Sequence, residues 1–171
     1  EGKRSAAQIT EVKVLNEHGA KALGKPMGSY LTLEADKLLM PDEDFHSEVS
    51  DELALLLKGL LKQKTGKNIL VAGLGNQSVT PDSLGPRTVS NLCVSAEGLK
   101  AIAPGVMAQT GMETARILLG IIKEVQPDLV IAIDALAARS IRRLGTTIQL
   151  TDTGIHPGSG VGNHRHSLTK E

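Results

Sequence analysis

The chain has 171 residues, and its 19 Lys and Arg side chains balance 19 Asp and Glu side chains. This length fits one domain, residues 1–171, with a sizeable hydrophobic core. The charge balance leaves no overall field that would attract nucleic acid or an anionic membrane. One Tyr, one Phe and no Trp leave no aromatic platform for stacking single-stranded nucleic acid. We therefore expect no direct nucleic-acid partner and no membrane partner.

Cys93 is the only cysteine, which excludes an internal disulfide and a multi-cysteine zinc site. Its apolar neighbours predict a packed rather than a reactive thiol. No apolar run approaches the roughly 20 residues that a membrane helix requires. Together these features predict a cytoplasmic protein.

The first third of the chain predicts two strands and two helices. Apolar and polar residues alternate over residues 8–15 and again over 29–34, which is typical of strands with one wet face. We expect these strands to pair as an antiparallel edge or flap. A short helix is expected between them, over 17–23, and ends at Gly24. Residues 45–64 carry leucines at spacings of three and four, which predicts an amphipathic helix.

The rest of the chain alternates strands with helices. The predicted elements are a buried strand at 68–74, a helix at 87–92, a brief strand at 101–103, a helix from 110 or 111 that ends before Pro127, and strands at 129–133 and 146–150. This order predicts an α/β fold of three layers, with a mainly parallel, mixed central sheet between helices.

Two aspartates follow buried strands. Residues 129–133 are uniformly apolar, typical of a strand buried on both faces, and lead directly into Asp134. Asp82 lies in the loop after the strand at 68–74. If these strands are neighbours, both acids share one crevice at the carboxyl edge of the sheet. There, one carboxylate can activate a water while the other, protonated, donates to a leaving group. The alternative is that Asp82 is a turn or helix-cap residue and that Asp134 caps the next segment of the chain.

The loop G-L-G-N at 73–76 does not continue into a dinucleotide-binding fingerprint. Its glycines instead indicate a tight backbone turn, with Asn76 as a polar residue lining a site, or a plain strand exit. Arg139 is a candidate clamp for a substrate carboxylate, although a solvated helix face would explain it as well.

A glycine-rich loop at 151–163 carries His156, with Gly158 and Gly160 among its glycines. Such loops bend repeatedly or approach a ligand closely. His156 is a candidate for orienting a carboxylate, transferring a proton or binding a metal, or else is structural. The metal alternative combines two acids with one imidazole: Asp82, Asp134 and His156.

Three motifs, taken together, resemble the germination proteases of spore-forming bacteria. They are G-L-G-N-Q-S-V-T-P-D-S-L-G-P at 73–86, A-P-G-V-M-A-Q-T-G-M-E-T at 103–114, and I-A-I-D-A-L-A-A-R-S with D-T-G-I-H-P-G-S-G-V-G-N within 131–163. The resemblance implies an endopeptidase that initiates the degradation of small acid-soluble spore proteins during germination. It implies a zymogen, a homotetramer and a location in the cytoplasm of the forespore or spore core. Asp82 and Asp134 match the family's two catalytic aspartates, of an atypical aspartic type that needs no cofactor.

The fold of this family is similar to that of hydrogenase-maturation endopeptidases, plus an N-terminal β-rich flap. In those enzymes two acids and a histidine bind nickel, so the resemblance makes a divalent metal the alternative cofactor and gives His156 weight as a site residue. Family members continue beyond the equivalent of Glu171, which predicts a fragment without the C-terminal region. A further alternative is a non-catalytic module that only binds peptides.

Overall fold

The computed structural model describes residues 6–61, 68–94, 98–138 and 140–155. Its strands are β1 Gln8–Val14, β2 Gly28–Glu34, β3 Ile69–Gly73, β4 Leu99–Ile102, β5 Leu129–Ile133 and β6 Thr147–Thr151. Its helices are α1 Glu17–Leu23, α2 Glu43–Leu61, α3 Leu84–Ser90, α4 Met107–Thr110 and α5 Thr114–Val125.

These elements divide between two compact units. The antiparallel unit comprises the described residues up to 61 together with 138 and 140–153. The parallel unit comprises the described residues from 68 to 137 together with 154–155. That the whole chain forms one endopeptidase domain stays a prediction.

The antiparallel unit contains a sheet of order β1-β2-β6. Gln8 pairs with Glu34 and Val14 with Gly28, so the predicted antiparallel pairing of the first two strands is confirmed. On its other edge β2 pairs with β6. The last strand therefore extends an antiparallel sheet rather than the parallel one.

Helix α2 packs against this sheet and forms the core of the antiparallel unit. Leu33, Ala35 and Val49 are buried there, with Leu53 packed against them. The leucine spacing that predicts the helix is thus the spacing of its buried face. The helix begins two residues before its predicted start, because Asp42 Oδ1 accepts a hydrogen bond (3.0 Å) from a backbone N–H of its first turn.

The parallel unit contains a sheet of order β4-β3-β5, with all pairs parallel. The central strand β3 is buried from its second residue to its last. The prediction that β5 is buried on both faces is wrong, since each of its five residues is half-buried. Within the described residues β5 pairs on one side only, which leaves its other side less covered. The predicted α/β class is confirmed, with two small sheets, one parallel and one antiparallel.

Helices cover both faces of β3. Leu118 of α5 packs against Ala72 and Leu74. The Cβ position of Gly73 points the other way, toward Val89 of α3. Within the residues that the structure describes, no helix has both the length and the apolar character needed to cross a membrane.

Two predictions for this stretch are wrong in detail. The helix predicted from 110 or 111 begins later, at Thr114, because Gly111 takes a left-handed conformation (φ 69°) that ends a separate short helix, α4, at Thr110. Cys93, predicted to be packed, is exposed, because it lies in the segment after α3 has ended at Ser90.

Candidate functional site

The candidate site lies at the carboxyl edge of the parallel sheet. Strands β3, β4 and β5 run in the same direction, and they end at Gly73, Ile102 and Ile133. Their outgoing loops therefore leave from one edge, which is where α/β sheets bind ligands. Asp82 lies in the first of these loops, and Asp134 is the first residue after β5.

The loop after β3 folds back on itself at Gly75. This residue has φ 115°, which side chains other than glycine rarely adopt. A Cβ atom there would collide with the carbonyl oxygen of Asp82 and lie 3.1 Å from its Oδ1. A short 3₁₀ turn, Thr80–Asp82, ends the loop. Glycine is therefore what lets Asp82 return to the end of β3.

The Asp82 side chain is bonded across this loop. The backbone N–H of Asn76 donates to the carbonyl oxygen (3.0 Å) and to Oδ2 (2.8 Å) of Asp82. The helix-cap alternative does not apply, because Ser83 and not Asp82 is the N-cap residue of α3, and the described residues provide that helix with no side-chain cap. Asp82 is a half-buried turn residue whose carboxylate is held at the sheet edge.

Asp134 is half-buried beside the same loop. Its Oδ1 accepts a hydrogen bond from the Ala135 N–H (2.9 Å). The preceding residue, Ile133, accepts a hydrogen bond from the Leu74 N–H (2.8 Å), which continues the β3–β5 ladder beyond the strands. Asp134 is therefore the residue after Ile133, whose carbonyl oxygen binds the Leu74 N–H, and the backbone of Asp82 lies next to Gly75. Both acids thus lie at the carboxyl edge of β3 and β5, near Leu74 and Gly75.

Helix α3 is fastened to this edge by Gly85. A Cβ atom at that position would approach Leu74 and the carbonyl oxygen of Ile133 more closely than real Cβ atoms come to any neighbour. Gly85 is buried together with Pro86. The close approach fixes the distance between α3, which follows Asp82, and the strand end that precedes Asp134.

Gln109 joins the site from the segment after β4, and it is not among the site residues predicted from the sequence. Its Nε2 donates to Asn76 Oδ1 (2.9 Å). Asn76 Oδ1 also accepts from the Ser78 N–H (3.0 Å). The only sequence signal for Gln109 is its place in the second of the three motifs, 33 residues after Asn76.

The remaining predicted site residues, Arg139, His156, Gly158 and Gly160, lie outside the described residues. Two members of the alternative metal set are described, Asp82 and Asp134. Among the described residues, no group of three or more His, Cys, Asp and Glu side chains is arranged to hold a metal ion.

Comparison with known proteins agrees with the three motifs. A family sequence model described as germination protease matches residues 1–171. The chain belongs to the germination protease family. A germination protease of Caldanaerobacter subterraneus subsp. tengcongensis is 49% identical over 178 residues, covering 96% of this chain and 55% of that protein. That of Bacillus subtilis is 47% identical over 182 residues, covering 96% of this chain and 49% of that protein.

The alignments cover nearly all of this chain but only about half of each relative. A germination protease of Clostridium perfringens is 42% identical over 178 residues, again with 96% of this chain but 55% of the relative. The chain spans about half the length of the curated relatives it matches.

Proposed function

We propose that this protein is an endopeptidase that initiates the degradation of small acid-soluble spore proteins during germination. The observation that carries the proposal is the pair of acids in the family motifs: Asp82 lies in the loop after β3, Asp134 directly follows β5, and both strands end at the carboxyl edge of the parallel sheet. Membership of the germination protease family supports a peptidase acting in germination.

The proposed chemistry is hydrolysis by an activated water. The ionised carboxylate of the pair takes a proton from water, and the resulting hydroxide attacks the carbonyl carbon of the scissile peptide bond. The protonated carboxyl donates its proton to the amide nitrogen as the C–N bond breaks. The bond from Asn76 to Asp82 Oδ2 supports this scheme because it fixes the direction in which that carboxylate faces.

Other features of the proposal rest on the family resemblance. They are a zymogen form, a homotetramer, a location in the cytoplasm of the forespore or spore core, and an atypical aspartic mechanism without a cofactor. The finer fold assignment belongs here as well: similarity to hydrogenase-maturation endopeptidases, with β1 and β2 in an N-terminal flap. Arg139, His156, Gly158 and Gly160 are proposed to support the site or bind substrate.

The test removes each acid separately in the full-length protein. Asp82→Asn and Asp134→Asn should each reduce cleavage of a spore protein by about 10³-fold or more, because either change removes one half of the acid–base pair. Circular dichroism should show an unchanged fold. The matched control is Asp51→Asn, which removes an exposed carboxylate from α2 and should leave the rate unchanged. Full activity in either site variant would reject the proposal.

Two further measurements separate this mechanism from its alternatives. Cleavage that stops on exhaustive chelation and returns with a divalent metal would favour the metal alternative, with Asp82, Asp134 and His156 as ligands. Binding of spore-protein peptides by the purified protein, without any cleavage, would favour a non-catalytic module.

A further inference from the structure

We propose that Gln109 is a positioning residue that orients the Asp82 carboxylate through Asn76. The three residues form a continuous hydrogen-bond chain within the parallel unit: Gln109 Nε2 donates to Asn76 Oδ1 (2.9 Å), and the Asn76 N–H donates to Asp82 Oδ2 (2.8 Å). The proposal rests on the proposed function, because orientation of Asp82 matters to catalysis only if Asp82 takes part in it.

Gln109 is anchored at both ends of its amide group. Besides the Nε2 bond, its Oε1 accepts from the Val106 N–H (3.3 Å). The backbone that carries it is fixed as well: Gly111 N–H bonds the Met107 carbonyl (2.8 Å), and Thr110 Oγ1 donates to the Val106 carbonyl (3.2 Å). A side chain held this way offers its N–H in one direction, toward the loop after β3.

Asn76 links the hydrogen bond from Gln109 to the orientation of the Asp82 carboxylate. Its Oδ1 accepts from Gln109 and from the Ser78 N–H, and its own backbone N–H is shared by two oxygens of Asp82. Side chain and peptide belong to one residue, so holding Oδ1 restricts the peptide plane that faces Asp82. Without Gln109, the Ser78 bond remains and keeps the loop folded, but it restrains Oδ1 from one side only.

A small loss of orientation is enough to be measured. A misplacement of about 1 Å in a catalytic group can cost about 10²-fold in rate. Loss of one hydrogen bond corresponds to roughly tenfold in an equilibrium. Gln109→Ala should therefore lower kcat by about tenfold, with KM changed by less than about twofold, because substrate binding is not what the bond supports.

The kinetic test is a double-mutant cycle in the full-length protein, with cleavage of a spore protein as the assay. Gln109→Ala and Asn76→Ala are measured alone and together, each checked for fold by circular dichroism. If Gln109 acts through Asn76, the double variant should be no slower than Asn76→Ala. Rate factors that multiply in the double variant, or an effect of Gln109→Ala on KM alone, would overturn the proposal.

The matched control is Gln77→Ala. Gln77 is exposed, adjoins Asn76 in sequence and takes no part in the hydrogen-bond chain. Its removal should leave both kcat and KM unchanged. A tenfold loss in this variant would show that the loop responds to any truncation, which would also overturn the proposal.

A second readout needs no cleavage and so separates the two proposals. The ¹³C resonance of the Asp82 carboxyl carbon should shift in Gln109→Ala and stay in place in Gln77→Ala. An unshifted resonance in Gln109→Ala would reject the positioning role, whatever the activity. A shifted resonance in a protein that cleaves no spore protein would support the chain of hydrogen bonds and reject the proposed function instead.

Discussion

Each of the two units is stabilised by a different kind of internal packing. In the antiparallel unit, one helix lays large apolar side chains on a sheet, and Leu33 and Val49 are buried between them. At the carboxyl edge of the parallel unit, backbone meets backbone: Gly85 lies against Leu74 and Ile133 with no space for a Cβ atom. Removing side-chain atoms should therefore harm the first region most, and adding an atom should harm the second.

The tight backbone packing lies at the candidate functional site. The tightly packed carboxyl edge of the parallel sheet is also the edge that carries Asp82, Asn76 and Asp134. The close approach of α3 to the strand ends fixes the loops that hold these residues. A core built from side chains tolerates replacement of one hydrophobic residue by another of similar volume. Backbone contacts accept no such substitute, so the geometry of the candidate site depends on particular glycines.

The largest effect is expected in the antiparallel core. Leu33→Ala should lower the free energy of unfolding by about 4 kcal/mol, because it leaves a cavity where a side chain is 1% exposed. Denaturant unfolding gives the size of the loss, and amide hydrogen exchange gives its location. We expect the greatest acceleration in β2 and the strands paired with it.

The matched variant for that experiment is Leu118→Ala in the parallel unit, where Leu118 is 0% exposed. It deletes the same atoms, but exchange should accelerate most in β3, against which Leu118 packs. If both variants accelerated exchange of the same amides to the same extent, the two units would unfold as one cooperative unit rather than separately.

The next effect concerns the edge of the parallel sheet. Gly85→Ala should cost about 2–3 kcal/mol, because its Cβ would meet backbone atoms, which cannot rotate away. Cleavage activity should fall as well, since α3 and the loop that carries Asp82 must shift. The measurements are the urea midpoint and the rate of spore-protein cleavage.

Gly120→Ala is the control for this substitution. Gly120 lies inside α5, and a Cβ there has no neighbour within 4 Å among the described residues. The same chemical change should therefore stabilise the protein by about 0.5–1 kcal/mol, because alanine favours a helix more than glycine does. A loss of stability equal to that of Gly85→Ala would contradict the account given for the sheet edge.

Local signals in the sequence predict elements well where the structure depends on local contacts. Helix α1 has its predicted bounds because both ends are fixed nearby: Asn16 Oδ1 accepts from the Gly19 N–H (2.9 Å), and Gly24 takes a left-handed conformation. The strand before Asp134 also lies where the apolar run predicts it, since an apolar run between polar residues needs no distant partner to be recognised.

Two features that depend on residues distant in sequence are not predicted. Apolar composition cannot show that β5 pairs on one side only within the described part of the chain, so its burial is overestimated. The contact of Gln109 with Asn76 joins two loops through the parallel register of β3 and β4, which the sequence does not specify. The aspartates are identified from strand ends and motifs, but the bond that orients Asp82 depends on the left-handed conformation of Gly75.

The smallest effect is expected for an ion pair at the surface of the antiparallel unit. Arg143 Nη2 lies 2.7 Å from Glu34 Oε1, with the two side chains 52% and 27% exposed. Water and salt screen such a pair, so Arg143→Ala should cost no more than about 1 kcal/mol and less at high ionic strength. The measurement is the urea midpoint at low and high salt, with Arg142→Ala, an exposed arginine of the same turn, as control. A loss above about 2 kcal/mol would contradict the expectation that solvent screens this pair, because exposed ion pairs contribute at most about 1 kcal/mol.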